Sequence, residues 1–118
     1  MLMICDDESL ILSPDEVHAL PEIQDWAEEV DRRGLRRGGA RLRPSSDAIT
    51  VRVRHGETLV SDGPFAETKE QMGGFDIIEC PTIEEAAEIA ARHPAAVDGA
   101  IEVRPSGSNG ARRLLAVL

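Results

Sequence analysis

At 118 residues the chain is sized for one compact domain, and its 42% hydrophobic and 30% charged residues are ordinary for a globular protein in water. A net charge of −9 excludes a generic nucleic-acid binder, since phosphate backbones need Lys and Arg to displace their counterions. No apolar run can span a membrane, Met1-Leu2-Met3-Ile4 is too short for a secretory core, and Cys5 and Cys80 lack C-x-x-C spacing, so a cytoplasmic chain with reduced, buried thiols is expected.

Leu2–Cys5 is an apolar run closed by Asp6-Asp7-Glu8 and predicts a short buried strand. Ser13-Pro14-Asp15-Glu16 is a helix start, with Ser13 as cap, Pro14 at the first helical position and Glu16 completing a capping box. Val17, Leu20, Ile23, Ala27 and Val30 follow as one apolar stripe. Pro21 interrupts it and predicts either a kink or a restart in which Pro21 opens a second helix. Gly34, preceded by Arg32 and Arg33, is the expected stop.

Ala40–Arg43 is a candidate second strand. Thr50-Val51-Arg52-Val53-Arg54 alternates as a half-buried strand does, His55-Gly56 is a two-residue turn, and Thr58–Ser61 is the returning arm of a hairpin. Gly74–Cys80 reads as a central strand. Thr82-Ile83-Glu84-Glu85 is a second capping box, opening an Ala-rich helix through Arg92 that turns Ala86, Ile89 and Ala90 toward a sheet and stops at Pro94. Ala100–Arg104 alternates as a last strand. Residues 106–113 read as a flexible linker, and Leu114–Val117 as an extra edge strand that docks on a partner chain.

Strand, helix, strand and hairpin, then strand, helix, strand is the split βαβ order of a ferredoxin-like α+β fold. Trp26, Phe65 and Phe75 are the only aromatics, so the core is built from Ala, Val, Ile and Leu in thin layers. A thin sheet-and-helix layer finishes burying its free face against another copy, which makes a homodimer the default. Charge is also uneven. Residues 6–31 carry ten acids and no base, whereas eight of the thirteen basic residues lie between Arg32 and Arg54. Such asymmetry suits a solvated face, a seam between protomers or a pocket for an anion.

Chemical possibility concentrates between residues 62 and 75. Asp62, at a strand end under the stiff Gly63-Pro64 turn, is the candidate acid, able to become desolvated and accept a proton; the same Asp-Gly-Pro is also plain turn chemistry. Glu67, Lys69 and Glu70 form either an acid–base–acid array for a small polar ligand or an exposed loop with weak ion pairs. Gly73-Gly74 lets backbone approach a ligand or forms a bulge opening the strand. Phe65 and Phe75 read as core more than as a stacking platform, and His18 as a helix-face histidine without a partner. His18, His55 and His93 are isolated, and there is no phosphate loop, nucleotide fingerprint or Ser-His-Asp order, so no metal and no cofactor are expected.

The run Val60-Ser61-Asp62-Gly63-Pro64-Phe65-Ala66-Glu67-Thr68-Lys69-Glu70-Gln71, followed by Gly73-Gly74-Phe75, resembles the hallmark of the YCII-related proteins of the DGPF type. Thr50–Arg54, Cys80-Pro81 with its Ala-rich helix, and Ile101–Pro105 extend the resemblance over residues 1–105, leaving 106–118 as a tail. It implies ferredoxin-like protomers in a dimeric α+β barrel, with activity mostly unassigned. Relatives include a dehydrochlorinase-like enzyme of aromatic degradation, and many DGPF proteins are associated with extracytoplasmic-function sigma factors. Two departures stand out: Cys5 in the first strand and Asp76 after Phe75 replace residues that are usually aromatic.

The expected function is therefore that of a small-molecule-binding or accessory homodimer, with a small anionic ligand held around Arg52, Gly63, Pro64, Phe65, Glu67, Lys69, Glu70, Gly73 and Gly74, and a possible functional association with a sigma factor. The alternative is a cofactor-independent lyase or isomerase with Asp62 as general acid/base and Arg52, Arg54 or Lys69 holding an anionic substrate. Neither direct nucleic-acid nor membrane contact is expected.

Overall fold

The computed structural model describes residues 1–7, 20–107 and 114–117. The Ser13–Glu16 capping box and His18 lie outside the described residues. Among the described residues seven strands and three α-helices follow in chain order: β1 (Leu2–Asp7), α1 (Pro21–Arg32), β2 (Arg36–Arg41), β3 (Ile49–Arg54), β4 (Glu57–Asp62), β5 (Glu70–Glu79), α2 (Ile83–Ala91), α3 (Ala95–Asp98), β6 (Ala100–Pro105) and β7 (Leu114–Val117).

The main sheet is wholly antiparallel, and β1 lies between β5 and β6 while β2 pairs with the far side of β5. The lanes therefore run β6, β1, β5, β2, which is the ferredoxin-like order with α1 and α2 supplying the crossovers. The β3–β4 hairpin is a separate two-stranded sheet inserted between β2 and β5. Its turn works because His55 (φ 52°) and Gly56 (φ 79°) both take the left-handed conformation that a two-residue hairpin needs.

Local signals set the helix ends. Pro21 stands at the first turn of α1, so the interruption in the apolar stripe is a helix start. Gly34 (φ 67°) ends it: its N–H donates to Asp31 O, and Leu35 N–H reaches back to Val30 O. Thr82 caps α2 by accepting from Glu85 N–H at 3.2 Å. Trp26 and Val30 of α1, with Ala86, Ile89 and Ala90 of α2, close over Leu2, Ile78 and Cys80. Leu2, Ile78 and Val30 are fully enclosed, each contributing about 1.5–3 kcal/mol through burial. The Trp26 indole N–H is satisfied by Ile89 O at 3.0 Å, which ties the two helices together.

Three expectations are corrected. β2 begins at Arg36 rather than Ala40, because Gly38 and Gly39 lie within the strand, and the missing side chain of Gly39 makes room for the neighbouring lane. β5 begins at Glu70, so the Gly73-Gly74 pair sits inside the strand; Ile4 faces Gly74 and Cys5 faces Met72, leaving Gly73 as the extra residue of a bulge. Leu114–Val117 is not an edge strand offered to a partner chain. As β7 it pairs with β5 on one side and β6 on the other. Leu2 and Val117 both face Asp76 and Val103, so β1 and β7 meet end to end in one lane of the sheet.

Candidate functional site

Strand parity divides the sheet into two faces. Leu2, Ile4, Asp76 and Ile78 point toward the helices and are buried. Between α1 and this face lies a cavity of about 290 Å³, lined by Ile4, Trp26, Arg36, Arg41, Asp76 and His93 among others. Two glycines shape it. A Cβ on Gly39 would overlap Asp76 Oδ1 and come within 2.5 Å of Phe75 O, while one on Gly74 would stand 3.1 Å from Ala40 O. Gly39, directly opposite Asp76 in the ladder, is therefore the cradle that lets the carboxylate lie against β2.

Asp76 is an acid in the apolar run Phe75–Ile78 and is 9% exposed. Its Oδ1 accepts from Arg36 Nε at 3.0 Å. Burial pushes its pKa up, with the Arg36 hydrogen bond and charge opposing that rise. His93 arrives from the turn between α2 and α3 and is 5% exposed. Its ring meets Trp26 edge-on, centroids 4.6 Å apart at 70°. Its Nδ1 accepts from Ala95 N–H at 3.0 Å, so the neutral ring carries its proton on Nε2. Desolvation, then the nearby Arg41 charge, lowers its pKa to about 4. Arg41 itself has no carboxylate partner among the described residues, whereas Arg36 is taken by Asp76. The cavity thus combines apolar walls, one internally balanced ion pair, a neutral imidazole and a guanidinium with no carboxylate partner among the described residues. Among the described residues no cluster of His, Cys, Asp and Glu could hold a metal.

The residues singled out from sequence gather elsewhere, at the root of the hairpin. Asp62 ends β4, pairs with Ile49 and is exposed. Gly63 (φ 96°) is pinned from both sides: its N–H donates to Ala48 O at 2.7 Å and its carbonyl accepts from Thr50 Oγ1 at 3.0 Å. Pro64 is half-buried beside it. Phe65 is 81% exposed rather than core, because the hairpin carries it away from the main sheet; the Arg52 guanidinium lies 5.4 Å from its ring centroid. Glu67, Lys69 and Glu70 are exposed. The Gln71 amide closes this loop by donating to Ala66 O at 2.8 Å and Thr68 O at 3.1 Å. Arg52 and Phe65 are brought together, Gly73 forms the bulge, and Gly74 is the member of the set that lines the helix–sheet cavity.

Sequence reasoning passed over Arg36, Arg41 and His93, which are separated along the chain and joined only by the fold. The available signal was Asp76: an acid two residues from Ile78 in an apolar strand, with Gly38-Gly39 available to receive it.

A family model for the YCII-related domain matches residues 1–106, and the chain belongs to this family. Over 70 residues it is 49% identical to an uncharacterized protein of Rhizobium meliloti (strain 1021), a match covering 56% of this chain and 55% of that protein. The match therefore spans about half the length of the relative.

Proposed function

We propose that this member of the YCII-related family is a homodimeric small-molecule-binding protein that takes an anionic organic ligand in the helix–sheet cavity. The observation that carries this is Arg41, which has no carboxylate partner among the described residues, beside neutral His93 in a cavity whose other charged groups, Arg36 and Asp76, are paired with each other. A guanidinium at an apolar cavity favours a compact organic acid: its carboxylate pairs with Arg41, and its body lies against Ile4 and Trp26. Arg36 is already committed to Asp76 and keeps that buried carboxylate from repelling the ligand.

Trp26 is the sole tryptophan and lines the cavity, so its fluorescence reports occupancy directly. Small aryl and alkyl carboxylates are titrated against their uncharged amides. The acids are expected to bind better, and Arg41→Gln should weaken them roughly 10- to 100-fold, the range for losing a hydrogen bond to a charged group. Amides binding as well as acids would refute the assignment.

Among the described residues no helix is long and apolar enough to cross a membrane. A reducing, cytoplasmic setting is part of the proposal, and the buried Cys80 thiol is in keeping with it. An association with a sigma factor is the regulatory setting we propose for the dimer, and co-purification with such a factor is its test. The lyase or isomerase alternative requires a desolvated base; exposed Asp62 lies outside the cavity, and buried Asp76 is the better-placed acid.

A further inference from the structure

We propose that His93 is a specificity-determining donor of the helix–sheet cavity: its Nε2–H selects monoanionic oxo acids, a carboxylate with an uncharged carbonyl oxygen beside it, over plain carboxylates of the same shape. The proposal rests on the anion-binding reading given above and names the ligand class for that site.

The floor of the site is one row of the sheet. Ile4 and Arg41 both stand opposite Gly74, so the row reads Ile4, Gly74, Arg41 across β1, β5 and β2. Gly74 leaves a gap between an aliphatic and a cationic neighbour. A Cβ in that gap would lie 3.9 Å from Ile4 Cδ1 and 3.6 Å from Arg41 Cα. A flat ligand body resting on it sends its carboxylate toward Arg41. Ile23, Trp26 and Ala27 of α1 line the helix side and bring no charge.

His93 adds a donor of a different kind. The ring is 5% exposed, and Ala95 N–H occupies Nδ1 at 3.0 Å. Nε2–H has no hydrogen-bond partner among the described residues, yet among those residues no fully enclosed side-chain nitrogen or oxygen lacks one. Nε2–H therefore reaches open space, and the open space that His93 lines is this cavity. A buried donor without a protein partner is costly, and a ligand oxygen placed before it recovers the loss.

Charge decides which oxygen that is. Trp26 of α1 meets the ring edge-on, Arg41 of β2 is the nearby cation, and Arg36 of β2 and Asp76 of β5 are paired with each other at 3.0 Å. Protonating His93 would put a hydrogen on Nδ1, against the Ala95 N–H that now donates to it, and would set a second cation beside Arg41. Both effects hold the ring neutral, in keeping with a pKa lowered to about 4. Arg36 and Asp76 cancel, so the lining offers the single positive charge of Arg41 and one neutral donor. A second ligand carboxylate would be desolvated there without a counter-charge, and a plain carboxylate leaves Nε2–H unpaired. A carbonyl oxygen accepts from Nε2–H and brings no charge. The cavity of about 290 Å³ restricts the class to compact members.

The test is isothermal titration calorimetry on the full chain with phenylglyoxylate, phenylacetate and phenylmalonate, which differ only at the carbon next to the carboxylate. Wild type is expected to bind phenylglyoxylate roughly tenfold more tightly than phenylacetate, and phenylmalonate no better than phenylacetate. His93→Asn keeps an oxygen for Ala95 N–H but has no donor at the Nε2 position, so the oxo preference should vanish with phenylacetate binding unchanged. His93→Gln places an amide N–H near that position and should keep the preference, whereas Arg41→Gln should weaken both monoanions alike. Equal binding of the two by wild type, a preference that survives in His93→Asn, or tightest binding of phenylmalonate overturns this inference; the anion site itself stands as long as acids bind better than their amides. Acids that bind no better than amides overturn both. Wild type labelled with 15N-histidine supplies the readout if a variant unfolds. Its Nε2 proton should shift with phenylglyoxylate and not with phenylacetate, and an Nε2 proton indifferent to bound phenylglyoxylate overturns the assignment.

Discussion

Gly39→Ala is the sharpest probe of the cavity wall. The added methyl would overlap Asp76 Oδ1, stand 2.5 Å from Phe75 O and 3.0 Å from Asp76 Cα, so two of its three neighbours are backbone that cannot rotate away. The strand must separate from β5 or the Arg36–Asp76 pair must break, and overpacking of this kind costs about 1–3 kcal/mol. Gly38→Ala is the control. Nothing lies within 4 Å of its added methyl, so the change should be neutral or stabilise by up to about 0.5–1 kcal/mol through the unfolded chain. At about 4 °C per kcal/mol for a domain of this size, Gly39→Ala should melt roughly 4–12 °C below wild type. Differential scanning calorimetry on the pair decides it. Adding Asp76→Ala to Gly39→Ala should restore only part of the loss, because the Phe75 carbonyl remains in the way. Equal melting temperatures for Gly38→Ala and Gly39→Ala would show that Asp76 does not lie against β2 as described.

Stability should also depend on pH through His93. Its folded pKa of about 4 lies below the ordinary 6.5, so between those values the unfolded chain binds a proton that the folded chain refuses. Stability is therefore lost as pH falls through this window, by up to about 3 kcal/mol at 1.4 kcal/mol per unit. Asp76 acts with opposite sign, since its raised pKa favours the protonated form in the fold and is relieved by acid. Urea unfolding from pH 7 to 4 should thus fall more steeply in Asp76→Asn than in wild type and flatten in His93→Gln; a wild-type slope surviving in His93→Gln refutes the assignment. Thr82→Ala should cost about 1 kcal/mol through loss of the α2 cap, measured by the same unfolding series. Gly63→Ala should destabilise by about 1–3 kcal/mol because of its left-handed backbone, and by more than Asp62→Ala at the exposed end of β4; the reverse order would reassign the turn.

What the sequence revealed was what neighbouring residues decide among themselves. Thr82 and Glu85, Pro21 at a helix start and Gly34 at a helix end each act within a few residues and each is found where local chemistry puts it, whereas Thr50–Arg54 is a strand whose valines are exposed rather than half-buried, because β3 pairs with β4 apart from the main sheet. From these elements the ferredoxin-like order follows. Features that depend on two lanes at once were hidden. The second strand was placed from Ala40 because the fitness of Gly39 for β2 depends on Asp76, thirty-seven residues farther along the chain. The hairpin root drew attention through density of polar residues, yet its hydrogen bonds are largely spent on its own backbone. The cavity takes residues from three strands, a helix and a turn, and His93 looked solitary until Trp26 and Arg41 closed around it.

The shared lane of β1 and β7 has a further consequence. Its second half is a socket of one strand's width, walled by Ile77–Glu79 and Val103–Pro105, that the chain fills with its own residues 114–117. A version stopped after Pro105 would present unpaired ladder groups on both walls of that slot. Extended backbone from any source fits there, a neighbouring molecule's edge included, so truncation converts an internal strand into an invitation to strand donation. A synthetic peptide carrying Leu114–Val117 would be the natural plug.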